Sequence, residues 1–402
     1  MNDRRRWPLP WVFSLLILPL GIVVGVKFTP LPYLLAQAGV PVDRIASISA
    51  IVNLPGVFIF LWAPLVDVKL RRRTWLAIAI LATAFSVCIY FPLIGASHLS
   101  LMTTLILAGG VADSLVAAAC GGLLVKVLST PDQAKASAWL TAGQLGGGAL
   151  GGAIVLWLSA RLALVFVGFV TAALIALPAL VAFSIPEPLP EPSPWFHGRL
   201  RLIGAEIYAV LRAPRRRWST LLLLAPGGSA AAQSLLPAIA SQYGVAASGV
   251  IWMNSLAGGV ALAVGALCGI LIPGNWDRRI TYAGAALTNA LATFVLLGAN
   301  RPFNYRAGTL FYLITEGLCW ARSTALIVEI VGPEPRDAST LYSILSATAT
   351  ISLLYTIRLD GMGFSKFGTH GLLWTDAAAN IFLFAIVTIF FVARGLPLRQ
   401  QE

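Results

Sequence analysis

Charge is scarce in this sequence. Of 402 residues only 16 are acidic and 28 basic, so 11% is charged, where an ordinary soluble domain carries about 25%. Cysteine and histidine are scarcer still, at four and three. Cys88, Cys120, Cys268 and Cys319 all lie in apolar runs and do not have the close spacing of a metal site. Disulfides are not expected inside helices buried in lipid. His98, His197 and His370 fall in or beside loops, so neither a metal centre nor a histidine proton relay is expected, and no cofactor is implied. What the chain has instead is apolar surface: 58% of it is hydrophobic, with a mean hydropathy of +0.83. A soluble chain of this length could not hide that much, which makes a polytopic membrane protein the expected class. The net charge of +12 does not point to nucleic acid, because the basic residues cluster in loops between the apolar runs.

A membrane-crossing helix needs roughly 20 apolar residues. Twelve such runs are predicted: 11–36, 46–66, 74–94, 100–128, 136–160, 162–184, 218–242, 246–272, 280–299, 306–331, 339–358 and 371–393. They are continuous rather than alternating, which excludes a closed β-barrel. With the N-terminus inside, 20 Lys and Arg fall on the cytoplasmic side and 6 outside. That bias predicts an inner (plasma) membrane protein with both termini cytoplasmic. Arg4-Arg5-Arg6 followed by an apolar run and Ala36-Gln37-Ala38 has the outline of a cleavable signal peptide. The run exceeds the 7–15 residues of a signal core, so a first crossing helix is expected instead.

The chain divides in the middle. Residues 185–217 hold Pro186-Glu-Pro-Leu-Pro-Glu-Pro-Ser-Pro194 and then a basic stretch. The prolines make a stiff spacer. Gly198–Leu211 is amphipathic and suits the anionic inner leaflet. The expected organisation is a six-helix bundle over 1–184, a cytoplasmic linker over 185–217 and a second six-helix bundle over 218–402. A weak repeat relates the halves. Trp62-Ala-Pro-Leu-Val-Asp67-Val-Lys-Leu-Arg71-Arg72-Arg73 follows the second run, and Asp277-Arg278-Arg279 follows the eighth. An acid ending one membrane helix just before a basic cluster suits a cytoplasmic gate: the carboxylate can accept bonds from a neighbouring helix end, and the arginines hold the loop inside. Asp67, Arg71, Arg72 and Asp277 are the gate candidates. Gly143-Gln-Leu-Gly-Gly-Gly148, Gly151-Gly152, Gly258-Gly259, Gly265 and Gly269 are read as close helix crossings rather than solute contacts.

The loop after the second run resembles that of the major facilitator superfamily. Four stretches sharpen the resemblance: Leu61-Trp-Ala-Pro-Leu-Val-Asp67; Pro131-Asp-Gln-Ala-Lys-Ala-Ser-Ala-Trp139 with Gly143-Gln-Leu-Gly-Gly147; Ser339-Thr-Leu-Tyr342-Ser-Ile-Leu-Ser346; and Leu359-Asp360-Gly361 with Phe367-Gly368 and Thr375-Asp376-Ala377. Together they resemble the AmpG-like branch, the muropeptide permeases and the related acetyl-CoA and siderophore carriers. The resemblance implies an all-α fold of twelve transmembrane helices in two pseudo-symmetric bundles. It also implies alternating access and a cavity lined by the first, fourth, seventh and tenth helices. The chain departs from the muropeptide permeases in the fourth run, where Asp113 matches one acid and Ala117 replaces a second.

A charge at the bilayer centre costs roughly 2.5–3.5 kcal/mol on the lenient scales, so it persists only when paired or facing water. Lys27, Asp113, Glu316 and Arg322 lie near the middle of the first, fourth and tenth runs, and the seventh offers Ser229, Gln233 and Ser234. One reading makes Lys27, Arg322, Gln233, Ser229 and Ser234 contacts for an anionic or zwitterionic solute. Asp113 or Glu316 would then carry a coupling proton, since low dielectric favours the neutral form of a carboxylate. The other reading makes Lys27–Asp113 a fixed salt bridge and leaves Arg322 bonded to helix carbonyls or to an acid. The expected function is secondary transport by a monomer with a small-molecule solute, protons and lipid as partners: a muropeptide-like solute, or a siderophore or other organic anion. An intramembrane enzyme is disfavoured, because neither H-E-x-x-H nor G-x-S-x-G occurs. So is a non-transporting receptor.

Overall fold

The computed structural model describes residues 8–40, 44, 48, 51–67, 70–95, 97–187, 204–205, 207–208, 210–228, 231–254, 256–332 and 338–394. Its long helices are α1 (Val12–Phe28), α2 (Arg72–Tyr90), α3 (Leu99–Val127), α4 (Thr130–Ser159), α5 (Leu164–Ala176), α6 (Leu256–Cys268), α7 (Arg278–Leu297), α8 (Pro302–Val331) and α9 (Ala338–Arg394). Every backbone group in lipid must be satisfied within the segment, which is why apolar runs this long fold as helices.

Among the described residues, seven helical stretches are long and apolar enough to cross a membrane. The last of them, α9, is two crossings. Phe367 and Gly368 leave helical geometry, and Gly368 takes φ 62°, which only glycine adopts freely. Thirty-residue α8 is long enough but carries Glu316, Arg322 and Glu329. The remaining crossings are broken. The 46–66 run appears as Leu54–Val57, Ile59–Trp62 and a 3-10 turn Ala63–Asp67; Pro55 and Pro64 withhold the donors that a continuous helix needs. The 218–242 run is interrupted between Leu224 and Ala231 by Pro226-Gly227-Gly228. The 246–272 run appears as Ala247–Asn254, α6 and a 3-10 turn Gly269–Leu271. Taken together, the described residues trace twelve crossings, six in each half of the sequence. Most of the linker, including the proline run beyond Glu187 and Arg199, Arg201 and Glu206 of the amphipathic stretch, lies outside the described residues.

The chain forms two compact units. One comprises Met1–Leu128, Gly143–Ile207 and Pro333–Ala347; the other comprises Ser129–Ala142, Tyr208–Gly332 and Thr348–Glu402. Helices in lipid gain nothing from hydrophobic transfer against one another, so they associate through close packing at small residues. In the first unit Gly25 of α1 abuts the backbone of Gly148 in α4, and Gly21 abuts Gln144. In the second, Gly265 of α6 meets the Ile314 carbonyl of α8, and Gly317 of α8 meets the Leu262 carbonyl. A β-carbon at any of these positions would push the pair apart. Around them large apolar side chains point outward, among them Phe85, Phe166, Phe169, Leu180 and Leu271, as a lipid-facing surface requires.

Candidate functional site

In the first unit the acid-arginine loop closes onto the start of α9. Asp67, buried at the end of its 3-10 turn, accepts from the Thr340 amide and hydroxyl, both at 3.0 Å, and from the Ser339 amide at 3.4 Å. The first amides of a helix have no partner within it, and the dipole there favours an anion. Arg72 grips the same carboxylate through Nε at 2.9 Å and Nη2 at 2.7 Å, and donates to Ser339 Oγ at 3.2 Å. Glu187 caps α2 by accepting from the amides of Arg72 and Arg73 at 3.1 and 3.0 Å. Arg71 is half-buried at the N-cap position of α2.

The repeat in the second unit is built differently. Asp277 caps its own helix, α7, accepting from the Arg279 amide at 2.9 Å and from the Arg279 guanidinium at 2.9 and 2.6 Å. Arg278, also buried, donates to the carbonyls of Ala325 and Thr130, both at 2.9 Å, and lies 3.6 Å from Glu329. Arg215 reaches Glu329 at 3.1 Å and Asp277 at 3.5 Å. In both units an arginine from this loop thus holds the start of a helix encoded in the other half of the sequence, at Ser339 or at Thr130.

The midplane charges are placed as follows. Lys27 and Asp113 are both buried and stand 3.7 Å apart, and Asp113 Oδ1 has no hydrogen-bond partner. Arg322 is 2% exposed. It donates Nη2 to the Gly269 carbonyl at 2.8 Å, and its Nε is unpartnered. No ion pair joins Arg322 to Glu316 among the described residues; of the alternatives open for Arg322, the carbonyl bond is the one formed. Glu316 accepts from Trp320 Nε1 at 3.3 Å. With its amide nitrogen turned inward, Gln233 donates to both Glu316 oxygens at 2.6 and 3.2 Å. Two candidates from different helices therefore meet. Ser229 and the Ser234 side chain lie outside the described residues.

A polar network that the sequence reading passed over lies in the second unit. Asp376, 1% exposed, accepts from Thr293 Oγ1 at 2.8 Å, Tyr312 OH at 3.0 Å and Asn380 Nδ2 at 3.4 Å. Asn380 also donates to Asn289 at 3.1 Å, and Asn289 donates to Thr315 at 3.0 Å. Asp360 is fully buried, and neither of its carboxyl oxygens has a hydrogen-bond partner. The network touches the Pro226-Gly227-Gly228 break, whose freed backbone groups are taken up by side chains. Tyr282 donates to the Gly227 carbonyl at 3.3 Å, Ser352 to the Ala225 carbonyl at 2.7 Å, and Tyr355 to the Leu224 carbonyl; the Gly228 amide donates to Asn380 Oδ1 at 2.8 Å. Asp376 was visible as an acid inside the 371–393 run. Asp360 stood in the Leu359-Asp360-Gly361 motif but outside any predicted crossing, because residues 359–370 read as loop, whereas α9 continues helically through 359–366.

Comparison with known proteins fits this architecture. The sequence matches the profile of the Major Facilitator Superfamily over residues 13–314. No curated protein matches it by sequence. The crystal structure of the human organic anion transporter MFSD10 (TETRAN) superposes with a TM-score of 0.71 at 17% identity, covering 96% of this chain and 100% of that one. The proton:xylose symporter XylE gives 0.63 at 13% identity, covering 96% of this chain and 94% of that one. FucP in its outward conformation gives 0.69 at 14%, covering 97% and 99%. At these identities the likenesses are of fold.

Proposed function

The chain belongs to the major facilitator superfamily, and we propose that it is a proton-coupled secondary transporter of an anionic, amphipathic solute of the muropeptide class. In this reading it sits in the inner membrane with both termini cytoplasmic and works by alternating access as a monomer of the AmpG-like branch. The observation that carries the reading is the pair of cations buried in crossing helices. Lys27 and Arg322 each leave part of their binding capacity unused: Lys27 meets Asp113 at 3.7 Å, beyond a close hydrogen bond, and Arg322 keeps Nε free. In low dielectric a cation attracts an anion far more strongly than at a surface, and a guanidinium can hold a carboxylate or phosphate through two parallel bonds. Asp113, beside Lys27, would exchange the coupling proton. Glu316 with Gln233 would do so if Asp113 is only the structural partner of Lys27. Asp67, Arg71, Arg72 and Asp277 would form the cytoplasmic gate.

A second reading is uptake of a siderophore or another organic anion. It is supported by Ala117, which stands where the muropeptide permeases carry a further acid, and by the fold shared with an organic anion transporter. Thermal-shift measurements on the purified protein with muropeptides, siderophores and acyl-CoA separate these solutes. Uptake of the stabilising one into proteoliposomes should then depend on an imposed pH gradient. Equal accumulation with and without the gradient would overturn proton coupling, and stabilisation by none of the three would overturn the solute class.

A further inference from the structure

The hairpin in α9 brings two acids together. Its limbs meet where Gly363 lies against the Gly371 carbonyl and Thr375 Oγ1. One turn further along, Asp360 on the first limb and Asp376 on the second interact electrostatically. The two carboxyls have opposite surroundings. Asp376 receives three side-chain donors, from Thr293, Tyr312 and Asn380. Asp360 receives none, although it is fully buried. A carboxylate that accepts several hydrogen bonds is stabilised in its charged form, and one buried without donors is stabilised in its neutral form. When two such groups interact strongly, their protons come off in steps that belong to the pair.

We propose that Asp360 and Asp376 form a proton-binding pair in the second unit, with Asp360 as the group that takes and releases the proton and Asp376 as its ionised, hydrogen-bonded partner. The inference rests on the reading of the chain as a proton-coupled transporter, and places a proton site where neither Lys27 nor Asp113 contributes. The titratable groups that interact with the pair from α8 are Tyr312, Glu316 and Cys319. From α7 comes the neutral Thr293, and the Ala232 backbone donates to Asp376. Among the described residues no ion pair joins a Lys or Arg to either acid. The Tyr312 hydroxyl lies 3.0 Å from Asp376 Oδ1 and the Thr293 hydroxyl 2.8 Å from Oδ2, so each oxygen of this carboxylate has a hydroxyl donor beside it.

The test is infrared titration of the reconstituted wild-type protein and of four variants, following the C=O stretch of a protonated buried carboxyl group. The band of the pair should titrate in the wild type, be missing from Asp360→Asn and remain in Asp113→Asn, and a band of Asp113 or Glu316 should be untouched by Asp360→Asn. Tyr312→Phe keeps both acids but removes a donor from Asp376, so the proton becomes shared with Asp376 and the midpoint should move to higher pH. Thr293→Val should act in the same direction, and these two variants carry the test if Asp360→Asn does not fold. A set of titrating bands left unchanged by Asp360→Asn, a midpoint unmoved in both donor variants, or a midpoint that shifts with added sodium would overturn the proposal. If the band follows Asp360 while uptake ignores the pH gradient, the site stands and the transport reading fails; the converse result leaves proton coupling to Asp113 or Glu316.

Discussion

Replacing Asp67 by asparagine removes a charge from a site where every lone pair is in use. Oδ1 receives Arg72 Nε at 2.9 Å and Nη2 at 2.7 Å, while Oδ2 receives the Thr340 amide and hydroxyl at 3.0 Å. Asparagine keeps one acceptor. If that oxygen turns to Thr340, amide hydrogens face the guanidinium of Arg72 and two charge-assisted bonds are lost, each worth about 1.5–3 kcal/mol. Arg72 retains Ser339 Oγ at 3.2 Å and Glu187 at 3.7 Å, so the expected cost is the lower sum, about 3 kcal/mol. At 1.36 kcal/mol per tenfold, that shifts by roughly 100-fold any equilibrium in which one state makes the contact and the other does not. Ser343, buried one turn into α9, reports on that equilibrium. In a background without the four native cysteines, Ser343→Cys should react with an impermeant maleimide roughly 100-fold faster when Asp67→Asn is added, because labelling of a transiently opened site tracks its population. Transport should slow and solute affinity should hold. An unchanged labelling rate, or transport at the full rate, would refute the gate assignment and the energetic estimate together.

Asp113→Asn should abolish uptake driven by a pH gradient and keep counterflow exchange if Asp113 carries the proton. If it only balances Lys27, the variant should lose about 3–5 kcal/mol of stability and recover it with Lys27→Met; normal proton-driven uptake in Asp113→Asn excludes both. Arg322→Lys keeps the charge but loses the two-pronged geometry, so affinity for the anionic solute should fall; equal affinity in Arg322→Lys and Arg322→Gln, by calorimetry, removes Arg322 from the binding site. Gly25→Ala should lower the thermal midpoint of the purified protein, since its β-carbon meets the Gly148 backbone and overpacking costs about 1–3 kcal/mol.

The twelve crossings could be read from the sequence because a bilayer imposes one length and one polarity on each of them. Breaks within crossings are harder to read, because a hydropathy sum does not register a missing donor. Pro226-Gly227-Gly228 counts as apolar even though it ends a helix. The buried charges Lys27, Asp113, Glu316 and Arg322 stood out against their apolar neighbours. Their partners did not, since the Gly269 carbonyl beside Arg322 and Gln233 beside Glu316 are set by packing between helices distant in sequence. The burial of Asp360 stayed hidden for a further reason: the residues around it, 359–370, are polar enough to pass for a loop, and only the close approach of Gly363 to Gly371 turns them into the top of a hairpin.

That hairpin also bears on how the protein is made. Two non-helical residues, Phe367 and Gly368, separate its limbs, too short a link for one limb to settle in the bilayer while the other waits outside. The 57 residues of α9 can therefore enter the membrane as one unit, folded back at Gly368. Insertion as a pair spares Asp360, Thr375 and Asp376 an encounter with lipid, because each limb arrives with the other covering its polar face. A bulky residue at Gly363 or Gly371 would prise the limbs apart at that stage, so its first effect would be on the yield of inserted protein rather than on the rate of transport.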